Sequence, residues 1–88
     1  MVDENGKALS DFMVIFPGLR KKSAQRIEST TREIHHILSR FEDEVVFAEL
    51  NLAMNLLWVS IRPIAGIRFE IAEALRERIP SARLVSHM

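Results

Sequence analysis

Residues 44–63 of this chain read EVVFAELNLAMNLLWVSIRP, and this stretch decides the fold. Side chains of a β-strand alternate between two faces, so the polar positions show which face is exposed to solvent. In the first half the mixed face carries Val45, Phe47, Glu49 and Asn51, and the dry face carries Val46, Ala48 and Leu50. In the second half the mixed face carries Leu56, Trp58, Ser60 and Arg62, and the dry face carries Leu57, Val59 and Ile61. Two such runs predict an antiparallel hairpin with one face against a core.

The turn of this hairpin falls at residues 52–55, where Asn55 tolerates a positive φ. Two other interpretations compete with a hairpin. A membrane span needs about 20 mostly apolar residues, whereas Glu49, Asn51 and Ser60 interrupt this stretch. A single buried helix is disfavoured by the two alternations and by the enrichment in Val, Phe and Trp.

The flanking segments supply two more strands and two helices. Residues 12–16 form an apolar run that Pro17-Gly18 ends, which predicts a central strand. A helix capped by Ser23 follows and runs to about Phe41. A second helix begins at or directly after Pro63 and ends before Pro80. Apolar stripes mark both helices, with Ile27, Thr31, Ile34, Leu38 and Phe41 on the first and Ile64, Ile67, Ile71, Leu75 and Ile79 on the second.

Residues 82–86 predict a last short strand, which gives the element order β-α-β-β-α-β. This is the ferredoxin-like α+β arrangement, with strand order 4-1-3-2 and two helices on one face of an antiparallel sheet. We expect the open face to carry Phe47, Glu49, Trp58, Ser60 and Arg83. Residues 1–10 read as a flexible tail or linker remnant and residues 11–88 as one domain. A chain that ends directly after a strand hints at a domain excised from a longer protein.

Composition limits the function classes. The 88 residues fit one domain, and 12 basic and 12 acidic residues give zero formal net charge, which argues against nucleic-acid binding. The absence of cysteine excludes disulfides, thiolate metal sites and a cysteine nucleophile. The N-terminus shows no apolar signal-peptide segment, and we expect a cytoplasmic protein.

A basic turn precedes the first helix. Backbone N–H groups at a helix N-terminus attract anions, and Arg20, Lys21 and Lys22 stand beside Ser23 to add positive charge. The alternative is a solvated basic loop, since no glycine-rich phosphate motif is present.

Two aromatic side chains, Phe47 and Trp58, fall on the predicted open face, where exposed apolar residues commonly mark interfaces. They predict a subunit or partner surface; cover by another part of the chain and a base-stacking platform are the alternatives. Phe69 lies outside the apolar stripe of the second helix. We interpret it either as a rim residue or as a second contact point. Adjacent His35 and His36 point about 100° apart on a helix, so we expect no metal site there.

The element order resembles several ferredoxin-like families at the level of fold, which does not determine function. Heavy-metal-associated domains carry Cys-x-x-Cys where this chain has Gly18-Leu19-Arg20-Lys21. Acylphosphatases place an arginine in the same turn, which Arg20 resembles. RNA-recognition motifs carry aromatics on the central strands, as Trp58 does here with Phe12 or Phe16. ACT-type regulatory domains are also compatible.

No nucleophile, base and orienting group come together in the sequence, so we expect neither an enzyme nor a bound cofactor. The sequence predicts a regulatory or protein-interaction domain that associates through the edge or open face of its sheet, as a homodimer. The alternative is an ACT-like sensing domain that binds a small anionic ligand at the basic turn. No membrane span is expected.

Overall fold

The computed structural model describes residue 6 and residues 8–85. Its main elements are β1 Ser10–Ile15, α1 Ala24–Ser39, β2 Val45–Asn51, β3 Leu56–Ile61, α2 Ile67–Arg78 and β4 Arg83–Val85. Two short 3-10 helices, Leu19–Lys21 and Leu52–Met54, lie in the β1–α1 and β2–β3 connections. The predicted order β-α-β-β-α-β is therefore confirmed.

One four-stranded antiparallel sheet joins the strands in the order β2-β3-β1-β4. This is the predicted order 4-1-3-2 read from the other edge, and it gives the ferredoxin-like arrangement. β1 lies inside the sheet between β3 and β4, as its apolar sequence predicts. β2 and β4 are the edge strands.

The core lies between the helices and one face of the sheet. The sheet contributes Phe12, Val14, Leu57, Val59 and Ile61, and the helices contribute Ile34, Ile37, Ile67, Ile71, Ala74 and Leu75. Each fully buried large aliphatic or aromatic side chain stabilises the fold by roughly 1.5–3 kcal/mol relative to exposure. Because both helices contribute to this core, they cover one face of the sheet and leave the opposite face open.

The β2–β3 hairpin has the predicted strand starts, but its alternation is interrupted by a β-bulge. Val45 pairs with Ile61 and Phe47 pairs with Ser60, so Val46 is an extra residue on β2. The extra residue places Val45 on the core side and leaves Val46 exposed. The predicted faces of these two valines were therefore wrong, whereas those of Phe47 and Glu49 were right.

The hairpin turn is held by two asparagines. The side chain of Asn51 accepts a hydrogen bond from the Met54 N–H at 3.2 Å. Asn55 adopts the left-handed conformation with φ 54°, as its residue type predicts. Its side-chain oxygen accepts from the Arg20 N–H at 2.7 Å, and its carbonyl accepts from the Phe16 N–H at 2.8 Å. Asn55 therefore connects the hairpin turn to the segment that leaves β1.

The helix starts differ in how well the sequence predicts them. Ser23 caps α1 as predicted, and its hydroxyl accepts from the Arg26 N–H at 3.2 Å. α2 starts four residues after Pro63, because Gly66 has φ 81° and lies outside the helix. Ile64 is consequently exposed and does not belong to the core stripe, which corrects its predicted position.

The bounds of the first strand also differ from the predicted ones. Ser10, assigned to the tail, belongs to β1, whereas Phe16 is buried just beyond the end of that strand. Ser86, assigned to the last strand, lies outside the described residues. Within the described part of the chain, neither helix combines the length and apolarity that crossing a bilayer requires.

Candidate functional site

The open face is the side of the sheet opposite the helices. The strand register groups its residues in rows that run from β2 towards β4. One row is Glu49, Trp58, Met13 and Val85; the next is Asn51, Leu56, Ile15 and Arg83; a third is Phe47, Ser60 and Asp11. Strand alternation therefore places one continuous group of apolar side chains on this face.

Two aromatic residues of the open face are exposed. Phe47 and Trp58 each keep 44% of their surface exposed. Met13, Ile15 and Leu56 beside them are half-buried. Met13, Ile15, Leu56 and Trp58 lie on the two inner strands, and the charged Glu49 and Arg83 lie on the edge strands. An apolar centre within a polar rim is the usual anatomy of a protein interface.

The open face also contains one buried polar pair. Ser60 is only 1% exposed, although its polarity predicts a solvated position. Its hydroxyl donates to Asp11 Oδ1 at 2.8 Å, across neighbouring strands. A buried hydroxyl with a carboxylate acceptor is satisfied. The pair therefore fixes this end of β3 against β1.

The residues of the predicted basic turn lie in two different places. Arg20 is directed to the hairpin turn, where its guanidinium donates to the Ala53 carbonyl at 3.3 Å. Lys21 lies with Arg20 in the 3-10 helix and is exposed. Lys22 instead lines a groove beside α1. Ser23 uses its hydroxyl to cap its own helix, so the four residues do not form one cluster.

The groove beside Lys22 is a feature that sequence reasoning missed. It lies between the first half of α1, the β1–α1 connection and the α2–β4 loop, and it has a volume of about 370 Å³. Its polar lining comprises Lys22, Arg26, Ser29, Thr30, Glu33, Arg78 and Ser81, and its apolar lining comprises Phe16, Pro17, Leu19, Ile79 and Pro80. We call it the helix groove.

Phe69 lies apart from the open-face aromatics. It is 63% exposed on α2, which packs against the opposite side of the sheet. There it lines a shallow depression together with Phe41, Glu70 and Glu73. The structure therefore does not bring Phe69 together with Phe47 and Trp58.

The two histidines of α1 do not assemble a metal site within the described residues. His35 and His36 are both exposed. No group of three or more His, Cys, Asp or Glu side chains in the described part of the chain could hold a metal ion.

Comparisons with protein-family models, with curated proteins and with solved structures gave no match for this chain. A function is therefore proposed from the residues and their geometry alone.

Proposed function

We propose that this chain is a non-catalytic interaction module that forms a homodimer through the open face of its sheet. The observation that carries the proposal is the exposure of Phe47 and Trp58, each at 44%, on the face of the sheet opposite α1 and α2. Aromatic residues are enriched among the interface residues that contribute most to the free energy of binding. Their neighbours Met13, Ile15 and Leu56 extend the apolar surface across three strands.

The charges of this face favour a second copy of the same chain as the partner. Glu49 lies on the β2 side and Arg83 on the β4 side. A two-fold axis parallel to the strands lays β2 of one copy over β4 of the other, so each Glu49 lies over Val85 of the second copy, one row away from the oppositely charged Arg83. The same axis sets Trp58 opposite Met13 of the second copy, which is a favourable aromatic–sulfur combination. Two sheets packed in this way lie about 10 Å apart.

The sheet edges are less suited to association than the face. The bulge at Val46 interrupts the regular backbone pattern along β2. The other edge, β4, has three residues in the described part of the chain. Bulges and short edge strands are common features that prevent edge-to-edge pairing. We therefore place the interface on the open face and not at an edge.

Sedimentation velocity from about 1 µM to about 500 µM, the range of a weak to moderate dimer, tests this proposal. We expect the wild-type protein to shift from monomer to dimer across the series. Trp58→Ala and Phe47→Glu should move the transition to higher concentration by at least about tenfold, because interface aromatics often contribute 2 kcal/mol or more.

Phe69→Ala is the matched control, since it removes another exposed aromatic from the helical side of the molecule. It should leave the dimerisation constant unchanged. A wild-type monomer at the highest concentration would contradict the proposal, and so would an equal weakening by Phe69→Ala. Circular dichroism of each variant verifies that the fold is retained.

A further inference from the structure

The carboxylate of Glu33 has an unusual environment at the middle of α1. Its Oε1 atom is shielded from solvent but accepts no hydrogen bond within the described part of the chain. Nη1 of Arg78 lies 3.8 Å away, which is an ion-pair distance and too long for a hydrogen bond. The Glu33 side chain as a whole is 39% exposed and lines the helix groove, so a molecule in the groove can reach this side chain, although not at the shielded Oε1. Shielded acceptors without a donor are rare in folded proteins.

Three cationic side chains line the same groove as this single carboxylate. Lys22 and Arg26 line the helix groove near the start of α1, and Arg78 lines it from the end of α2. Three cations against one carboxylate leave the lining with a net positive charge. An anionic group is therefore attracted into the groove, while the Glu33 carboxylate attracts a group that donates hydrogen bonds.

The groove also has the shape of a small-molecule site. Its volume of about 370 Å³ lies within the usual range for ligand pockets. Phe16, Leu19 and Ile79 supply an apolar lining, and Ser29 and Thr30 add hydroxyl groups. Seven polar residues outnumber five apolar residues in this lining, so the groove suits a polar ligand.

We propose that the helix groove binds a small anionic molecule that carries an amino group, of which an acidic amino acid is the simplest example. Its acid groups lie among Lys22, Arg26 and Arg78, and its ammonium group pairs with the accessible part of the Glu33 carboxylate. The groove is built from helix and loop residues, whereas the proposed dimer uses the open face. The two proposals therefore stand or fall separately.

Glu33→Gln should weaken binding of a ligand that carries an amino group and should not weaken binding of one that lacks it. The substitution removes an attraction for an ammonium group and a repulsion of a carboxylate. L-glutamate should bind the variant more weakly by about tenfold or more, since a hydrogen bond between charged groups is lost. Glutarate, which has both acid groups but no amine, should bind the variant as well as or better than it binds the wild type.

Glu28→Gln is the matched control. Glu28 is an exposed carboxylate on the same helix, and it also lies 3.8 Å from an arginine, Arg32. Its substitution removes the same charge from α1 outside the groove. We expect Glu28→Gln to leave binding of both compounds unchanged.

The experiment is a titration of the ¹⁵N-labelled full chain, followed by NMR, with L-glutamate, glutarate and inorganic phosphate up to about 10 mM, where weak binding is still detected. We expect L-glutamate to shift the amide signals of Ser29, Thr30 and Ser81, and to bind at least about tenfold more tightly than glutarate. Absence of these shifts would overturn the proposal. Equal affinity for glutamate and glutarate, or for glutamate and phosphate, would also overturn it, and so would an unchanged glutamate affinity in Glu33→Gln.

Discussion

Substitution of Asn55 tests how the hairpin turn is fixed to the rest of the sheet. This residue has φ 54°, and its side-chain oxygen accepts from the Arg20 N–H at 2.7 Å. Asn55→Ala removes the acceptor and leaves a less tolerant residue in the left-handed conformation. Asn55→Gly removes the acceptor but fits the conformation, and Asn55→Asp keeps both an acceptor and tolerance of positive φ.

The magnitudes follow from these two contributions. The left-handed conformation costs an ordinary residue about 1 kcal/mol. A hydrogen bond to a backbone N–H contributes about 1 kcal/mol. Asn55→Ala should therefore lower the free energy of unfolding by about 2 kcal/mol and Asn55→Gly by about 1 kcal/mol, with Asn55→Asp within about 0.5 kcal/mol of wild type. For a chain of this length, with a total stability of roughly 4–13 kcal/mol, the first change is easily measured.

Urea unfolding, followed by the fluorescence of the single tryptophan and by circular dichroism, measures these differences. Protein concentration is held fixed in the series, because self-association would add to the apparent stability. Equal losses for the alanine and glycine variants would refute the conformational contribution. An aspartate variant as unstable as the alanine variant would refute the contribution of the hydrogen bond to Arg20.

Substitutions at three further positions test other parts of the fold by the same unfolding measurement. Leu75→Ala should lower the free energy of unfolding by about 2–5 kcal/mol, because Leu75 is fully buried, and a loss under about 1 kcal/mol would contradict its place in the core. Ser23→Ala should cost about 1 kcal/mol through loss of the α1 cap, and Ser23→Asp should restore most of it. Ser60→Ala should cost about 1–3 kcal/mol because Asp11 loses its donor, and an unchanged stability would show that this pair contributes nothing.

Local sequence pattern predicts the topology but not the bulge on β2. Alternation of polar and apolar residues determines strand faces, and it is strong from Phe47 to Asn51. Val45 and Val46 are both apolar, so an extra residue at this point leaves no mark in the pattern. The bulge is visible only in the pairing of β2 with β3.

The start of α2 shows how two local signals compete. Pro63 favours the first turn of a helix, and Ile64 fits the apolar spacing of the stripe that follows. Gly66 takes a positive φ, so the helix can begin only after it. The left-handed glycine therefore overrides both the proline and the spacing.

The two candidate sites differ in how visible they are in sequence. Placement of Phe47 and Trp58 on the open face follows from strand alternation alone, although their role in an interface stays a prediction. The helix groove combines residues near position 30 with residues near position 80, which only the tertiary structure brings together. The spacing of Arg26, Thr30 and Glu33 puts them on one side of α1. This spacing was the sequence signal that could have indicated one wall of the groove.

The most direct test of association through the open face is an isotope-filtered NMR measurement on mixed labelled and unlabelled protein at a concentration where the dimer forms. We expect contacts between the Trp58 ring of one copy and the Met13 methyl group of the other. If the intermolecular contacts come instead from Phe69 and α2, or if none is found while sedimentation shows a dimer, the open face is not the interface.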